Sequence, residues 1–119
     1  MPHHWLARLA GIPIIWTRPN EYIPAAVDEL GRIWVDPRMT STEQRCALAH
    51  EIIHLERGHR GCQPRSVELD VREQAARNLI LIEDLIAQAR WAHTHDELAA
   101  ELGVTRLVLV NRGSPVRIR

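Results

Sequence analysis

The pattern of hydrophobic and polar positions along the chain changes near residue 40. Upstream, residues 14–17 form a short apolar run, and residues 32–36 alternate between polar and apolar side chains as a half-buried strand does. Downstream, apolar residues recur at the three- and four-residue spacing of helices. The pattern predicts an α+β fold, in which a small antiparallel sheet packs on a helix and further helices follow.

The helix that follows residue 40 has clear start and stop signals. Its first segment, “TSTEQ”, contains two overlapping capping boxes, Thr40 with Glu43 and Ser41 with Gln44. The apolar periodicity continues through Leu55, and Gly58 suits the position just beyond a helix C-terminus. We therefore predict a helix over residues 42–57, followed by a loop.

The second half of the chain has the pattern of further helices. One begins at Ser66 and runs through “VELDVREQAARNLILIEDLIAQARWA”, with a break near Ile80. Thr94 and Glu97 form another capping box, which opens a short helix that ends at Gly103.

The two ends of the chain are harder to assign. Near the N-terminus, “WLARLA” fits a short helix. In the tail, Thr105 can cap a last helix, whereas residues 107–110 favour a strand by propensity alone.

Composition and charge narrow the class of protein. The 119 residues are 45% hydrophobic and 25% charged, and we expect one domain over residues 1–119, with residues 94–113 as a C-terminal helical subdomain. The net charge is zero, which gives no general electrostatic reason to bind nucleic acid. Cys46 and Cys62 make no disulfide framework, and we find no signal-peptide pattern or membrane-length apolar run. We therefore expect a cytoplasmic protein that does not act at a membrane.

The segment “CALAHEIIHLERGH” places two histidines four residues apart, with a glutamate directly after the first. On a helix, His50 and His54 lie one turn apart on the same face and can direct imidazole nitrogens at one Zn²⁺ ion. Glu51 is rotated by about 100° from His50, so its carboxylate can flank the metal without ligating it. From there it can act as the general base that takes a proton from a zinc-bound water.

An amphipathic helix with two incidental histidines is the alternative explanation. The helix is apolar on more than one side, however, so both histidines should lie inside the protein. A charged Glu51 buried beside them is costly unless it lies near a cation. We therefore favour a metal site, and a catalytic one, because a structural site needs no general base.

A third metal ligand must come from elsewhere in the chain. On the second helix, Glu68 shares its face with three apolar residues, Val71, Ala75 and Leu79. That face must point into the core, so we expect Glu68 to be the third ligand, with Glu73 and Asp70 as alternatives on the same helix.

The loop after the first helix offers less favoured ligands. A metzincin would have a glycine three residues after His54 and a histidine three residues further on, but those positions hold Arg57 and Arg60. His59 and Cys62 follow the helix without a defined direction, and we rank both below Glu68.

Two segments together resemble a known family. “IWVDPRMTSTEQRCALAHEIIHLERGH” followed by “ELDVREQAARNLI” is similar to the ImmA/IrrE metallo-endopeptidases, especially the short members encoded by phages and mobile elements. Residues 49–54 match the family's Ala-His-Glu-hydrophobic-x-His element, and Glu68 begins the second matching element. Val71 stands at a usual alanine and Arg72 at a common asparagine. The resemblance covers residues 30–110.

The resemblance carries several expectations. It implies a zincin-like core, in which the small sheet packs on the active-site helix, and it implies that the segment “ELAAELGVTRLVLV” is helical and not a strand. It implies a zinc metallo-endopeptidase with His50, His54 and Glu68 on the metal and Glu51 as catalytic base. Its expected substrate is a helix-turn-helix repressor, so that the protein would act as an anti-repressor for a phage or mobile element.

Two surfaces are expected to contact the substrate. Residues 32–36 should form the upper edge of the cleft, where an extended peptide can add by backbone hydrogen bonds. In the C-terminal segment, Leu107, Leu109 and Arg112 should offer an apolar and basic docking surface. An alternative function is that of a non-catalytic regulator, which would bind a repressor or DNA through this segment.

Overall fold

The computed structural model describes residues 11–113 of the chain and has an α+β fold, as the sequence predicts. The predicted helix in “WLARLA” lies outside the described residues. Three short strands precede five helices: β1 (Ile14–Ile15), β2 (Ala25–Val27), β3 (Ile33–Val35), α1 (Ser41–Glu56), α2 (Arg65–Leu79), α3 (Ile82–Ala89), α4 (His95–Leu102) and α5 (Arg106–Arg112).

The β2–β3 hairpin is built on a turn at Asp28. One carboxylate oxygen of Asp28 accepts hydrogen bonds from the N–H groups of Leu30 and Arg32, at 2.9 Å each. Gly31 completes the turn with φ +78°, a conformation that glycine adopts without strain. The turn therefore sets the antiparallel register, with Ala26 opposite Trp34.

The strand order in the sheet is β1-β3-β2, which makes β3 the central strand. β1 pairs with β3 in parallel, with Ile14 opposite Ile33, so the prediction of a wholly antiparallel sheet is wrong for this pairing. β1 is connected to β2 and not directly to β3, and a parallel pair requires such a crossover connection.

The N-terminus of α1 uses one of the two predicted capping boxes. The Thr40 hydroxyl accepts from the Glu43 N–H at 3.1 Å, and the Glu43 carboxylate accepts from the Thr40 N–H at 2.9 Å. Helix α1 ends at Glu56, with Gly58 in the left-handed conformation two residues later. The predicted bounds of 42–57 are thus confirmed to within one residue.

Helix α1 lies in the centre of the fold, because it packs against β2 and β3 on one side and against α2 on the other. This position explains why its sequence is apolar on several faces. The hydrophobic core also includes residues from the sheet, α2 and the later helices: Val27, Ile33, Val35, Val71, Ala75, Leu79, Ile80, Leu85, Leu98 and Leu109. The candidate site residues of α1 therefore lie on a helix that contributes to the hydrophobic core.

The later helices follow the predicted boundaries, and the tail is helical. The long second segment breaks at Ile80 into α2 and α3, as predicted. Helix α5 begins at the Thr105 cap, so the strand reading of residues 107–110 is wrong. The turn at Gly103, with φ +68°, and the Thr105 cap outweigh the β propensity of the Leu-Val-Leu-Val run at residues 107–110. Among the described residues, no helix combines the length and hydrophobicity needed to cross a bilayer.

Candidate metal centre

Three side chains from α1 and α2 converge on one point. The Nε2 atoms of His50 and His54 lie 3.1 Å apart. Glu68 Oε2 lies 3.3 Å from His50 Nε2 and 3.2 Å from His54 Nε2. These atoms form an almost equilateral triangle, and the three residues are the only histidine, cysteine or acidic cluster of at least three ligand atoms found within residues 11–113.

The triangle has the dimensions of one face of a tetrahedral metal site. Ligand atoms at about 2.0–2.1 Å from a tetrahedral ion are about 3.3–3.4 Å from one another. Two imidazole nitrogens and one carboxylate oxygen also form the donor set of many hydrolytic zinc sites. The residues present therefore fit a divalent metal ion, which His50, His54 and Glu68 would hold with one ligand atom each.

The two histidines are in the protonation state that metal ligation needs. Burial, and for His50 also the neighbouring His54, lowers the pKa of both imidazoles below the usual value. Each ring is therefore held neutral near neutral pH and keeps a lone pair. A neutral imidazole is the form that binds a metal ion.

The alternative acidic ligands on α2 have other partners. Asp70 forms an ion pair with Arg57, and Glu73 forms one with Arg77 on its own helix. Both side chains are largely exposed. Only Glu68 lies on the face of α2 that meets α1, because that face also carries the buried apolar residues.

Glu51 is a buried residue whose side chain lines the same cleft as the triangle. It is 7% exposed, and within residues 11–113 no hydrogen bond or ion pair reaches its carboxyl group. Burial, followed by the negative charge of Glu68, raises its pKa to about 8. A carboxylate in such a buried position is costly to ionise, and a cation held at the triangle would offset that cost.

Of the two less favoured ligands in the loop, His59 does touch the site. Its Nδ1 lies 3.1 Å from Nδ1 of His54, on the edge of the His54 ring that faces away from Glu68. Sequence reasoning gave His59 no direction, although the helix end at Gly58 could have supplied one. Cys62 is exposed on the cleft wall, and Cys46 is a buried core residue that contacts Thr105.

The triangle opens into a cleft of about 560 Å³. Its walls come from β2, from α1 and α2, from the loop at residues 59–63 and from α5. Arg72, one turn after Glu68, also lines the cleft and forms no ion pair within residues 11–113. An opening of this size can hold several residues of an extended peptide.

The edge of the sheet that borders the cleft is β2, so the prediction that residues 32–36 form this edge is wrong. β3 is hydrogen-bonded on both sides, and Ile33 and Val35 are fully buried. Along β2, every second residue is hydrogen-bonded to β3 through its backbone. The backbone polar groups of Pro24, Ala26 and Asp28 point toward β3. The N–H and C=O groups of Ala25 and Val27 therefore point toward the open edge.

The C-terminal helices only partly match the expected docking surface. Leu107 is 60% exposed and lines the cleft, but Leu109 is 2% exposed and belongs to the core. Arg112 donates a hydrogen bond to the Ile80 carbonyl at 3.0 Å and so ties α5 to the end of α2. Arg106 pairs with Asp96.

The chain was compared with known proteins, and neither the curated proteins nor the solved structures gave a match. A family description, Peptidase_M78, the IrrE N-terminal-like domain, matches residues 12–114. That range includes every element described above, from β1 to α5, and both segments on which the resemblance to ImmA/IrrE proteins rests. The chain therefore belongs to the Peptidase_M78 family of metallopeptidases, with the IrrE N-terminal-like domain.

Proposed function

We propose that the protein is a zinc-dependent endopeptidase, in which His50, His54 and Glu68 hold the ion and Glu51 is the general base. The observation that carries the proposal is that the three-atom triangle and the buried Glu51, whose carboxyl group has no hydrogen bond or ion pair within residues 11–113, line one cleft. A structural metal site would need a fourth protein ligand and no such carboxyl group.

Zinc is the ion that the donor set favours. Imidazole ligands suit zinc and other late transition metals, whereas magnesium and calcium prefer sites made of oxygen atoms. Three protein ligands leave the open position that distinguishes catalytic zinc sites from structural ones. The test is the metal content of the purified protein, for which we expect one zinc per chain, and a strong loss of that zinc in His50→Ala.

When bound, the zinc supplies a Lewis acid that lowers the pKa of a water to about 7 and polarises a carbonyl group. Glu51, whose pKa is raised by burial and by the charge of Glu68, would be ionised more readily beside a cation. Glu51 then takes the proton of the attacking water and passes it to the leaving amine. The packing of α1 on the sheet and on α2 holds this carboxylate beside the reacting atoms.

The substrate that this cleft suits is an extended peptide. The free N–H and C=O groups of Ala25 and Val27 allow a peptide to pair with β2 as an added strand. Leu107 and Ile23, which are both exposed and line the cleft, can contact its side chains. Such pairing would fix the scissile carbonyl relative to Glu51 and the ligand triangle.

We further propose, from the resemblance to short phage and mobile-element proteins, that the substrate is a helix-turn-helix repressor encoded nearby. Cutting it would derepress the element, which makes the protein an anti-repressor that acts in the cytoplasm. Co-expression of the neighbouring repressor with wild type and with Glu51→Gln tests this proposal. Loss of intact repressor with wild type alone supports it, whereas equal loss with both proteins points to removal by binding.

A further inference from the structure

The end of α1 turns the chain back over the last helical turn in a Schellman motif. The N–H of His59 donates to the His54 carbonyl at 2.8 Å, and the N–H of Gly58 donates to the Leu55 carbonyl at 3.1 Å. Gly58 has φ +75°, the left-handed conformation that this motif requires. The motif thus places His59, which follows His54 by five positions, directly beside it.

The side chains continue this contact. Schellman motifs often join the same two positions by an apolar contact, but here both are imidazoles. Nδ1 of His59 lies 3.1 Å from Nδ1 of His54, and the ring centroids are 5.3 Å apart with planes tilted by 56°. His59 therefore holds His54 through both its backbone and its side chain.

The contact selects one tautomer of His54. A neutral imidazole carries a single N–H group, and Nε2 of His54 is the atom that faces His50 and Glu68. If Nε2 is to offer a lone pair there, the proton must be on Nδ1, where it donates to Nδ1 of His59. Histidine ligands in metal sites are commonly oriented by an acceptor on their second nitrogen.

We infer that His59 is a positioning residue of the metal centre, which accepts the Nδ1–H hydrogen bond of His54 and so keeps Nε2 available to the ion. This inference rests on the proposed zinc site. It also explains why His59 is not itself a ligand, because its Nδ1 meets the edge of the His54 ring that is turned away from the triangle.

The test is the zinc affinity of His59→Leu and His59→Gln, measured by competition with a chelator and without substrate. Leucine cannot accept the hydrogen bond, so we expect affinity to fall by about 10- to 100-fold. The amide oxygen of glutamine can accept it, so His59→Gln should stay within a few-fold of wild type. His95→Leu removes an exposed histidine on α4 and is the matched control.

The outcomes separate this role from others. Equal affinity of His59→Leu and wild type overturns the inference. Equal losses in His59→Leu and His59→Gln also overturn it, because they show that a hydrogen-bond acceptor at this position does not restore zinc affinity. Wild type that binds no zinc contradicts the proposed function itself. Unfolding of each metal-free variant checks that the fold is intact.

A second pair of variants tests the cap without changing His59. Gly58→Ala strains the Schellman motif, since alanine rarely adopts φ +75°, and should lower zinc affinity in the same direction as His59→Leu. Gly61→Ala introduces the same kind of strain at φ +72° in the following loop, and an added Cβ meets no atom within 4 Å at either position. Equal effects of the two variants would contradict a specific role for the cap.

Discussion

The Nε2 atom of His54 and the Oε2 atom of Glu68 lie 3.2 Å apart, although 14 positions separate the two residues in the chain. The loop between α1 and α2 allows this approach only if Glu68 faces α1. In that orientation Val71 and Ala75, on the same side of α2, enter the core. The rotation of α2 about its axis that brings Glu68 to the two histidines is thus the same rotation that buries Val71 and Ala75.

The ligand role of Glu68 predicts different behaviour for the two nearby glutamates. Glu68→Ala should lose most of its bound zinc, because only two protein ligands remain. Glu73→Ala should keep one zinc per chain, because Glu73 is paired with Arg77 on the exposed side of α2. Metal analysis of both purified variants measures the difference. Loss of zinc from Glu73→Ala with full retention in Glu68→Ala would contradict the assignment.

The cap of α1 predicts a difference in stability between two neighbouring positions. Thr40→Ala removes the side-chain acceptor for the Glu43 N–H and should cost about 1 kcal/mol of unfolding free energy. Ser41→Ala should cost much less, since within residues 11–113 the side chain that caps α1 is that of Thr40 and not that of Ser41. Urea unfolding of the metal-free proteins measures both values. A larger loss for Ser41→Ala would favour the second predicted capping box.

The free edge of β2 predicts an effect on peptide turnover. Ala25→Pro removes an N–H group that points to the open edge and leaves the bonds to β3 in place. We expect it to bind zinc normally and to raise the KM for peptides by up to about tenfold, the upper value for one lost hydrogen bond. Ala26→Pro breaks the ladder with β3 and is the control for instability. A folded Ala25→Pro variant with unchanged KM would exclude strand addition.

Glu51 predicts how the stability of the metal-free protein varies with pH. Its pKa is raised from 4.5 to about 8 on folding, so the folded state keeps a proton that the unfolded chain releases. The protonated Glu51 therefore makes its full contribution to the free energy of unfolding below about pH 4.5. That contribution is lost as the pH rises toward 8, by about 1.4 kcal/mol for each pH unit.

Comparison with Glu51→Gln isolates this effect. The lowered pKa values of His50 and His54 act in the opposite direction, because their contribution is lost as the pH falls, but both histidines remain in the variant. Relative to wild type, Glu51→Gln should become more stable as the pH is raised from about 5 to about 7.5. If the difference in unfolding free energy between the two proteins stayed constant over this pH range, Glu51 would have an ordinary pKa.

The parts of this structure that local patterns encode were predictable from the sequence. The Thr40 cap and the glycine end fixed α1 to within one residue, and the apolar stripe of α2 pointed to Glu68 as the inward acid. These signals need only a helix and its period, so they do not depend on how distant segments pair.

What the sequence did not reveal depends on the tertiary arrangement. β1 pairs with β3 in parallel, and β3 is therefore the central strand while β2 borders the cleft with a free edge. This strand order is not encoded locally in strands of two or three residues. Leu109 was expected on the surface because the partner helix was unknown. The direction of His59 was missed although Gly58 was recognised, because the geometry beyond the helix end was not followed to its next residue.

The measurement that tests the central claim most directly is zinc content and peptide cleavage of Glu51→Gln beside wild type. The substrates are a library of quenched fluorescent peptides and the neighbouring repressor. We predict one zinc per chain in both proteins, and a loss of cleavage of at least about 100-fold in the variant, the usual contribution of a positioned base. Normal cleavage by Glu51→Gln, loss of its zinc, or no cleavage by wild type would contradict the account.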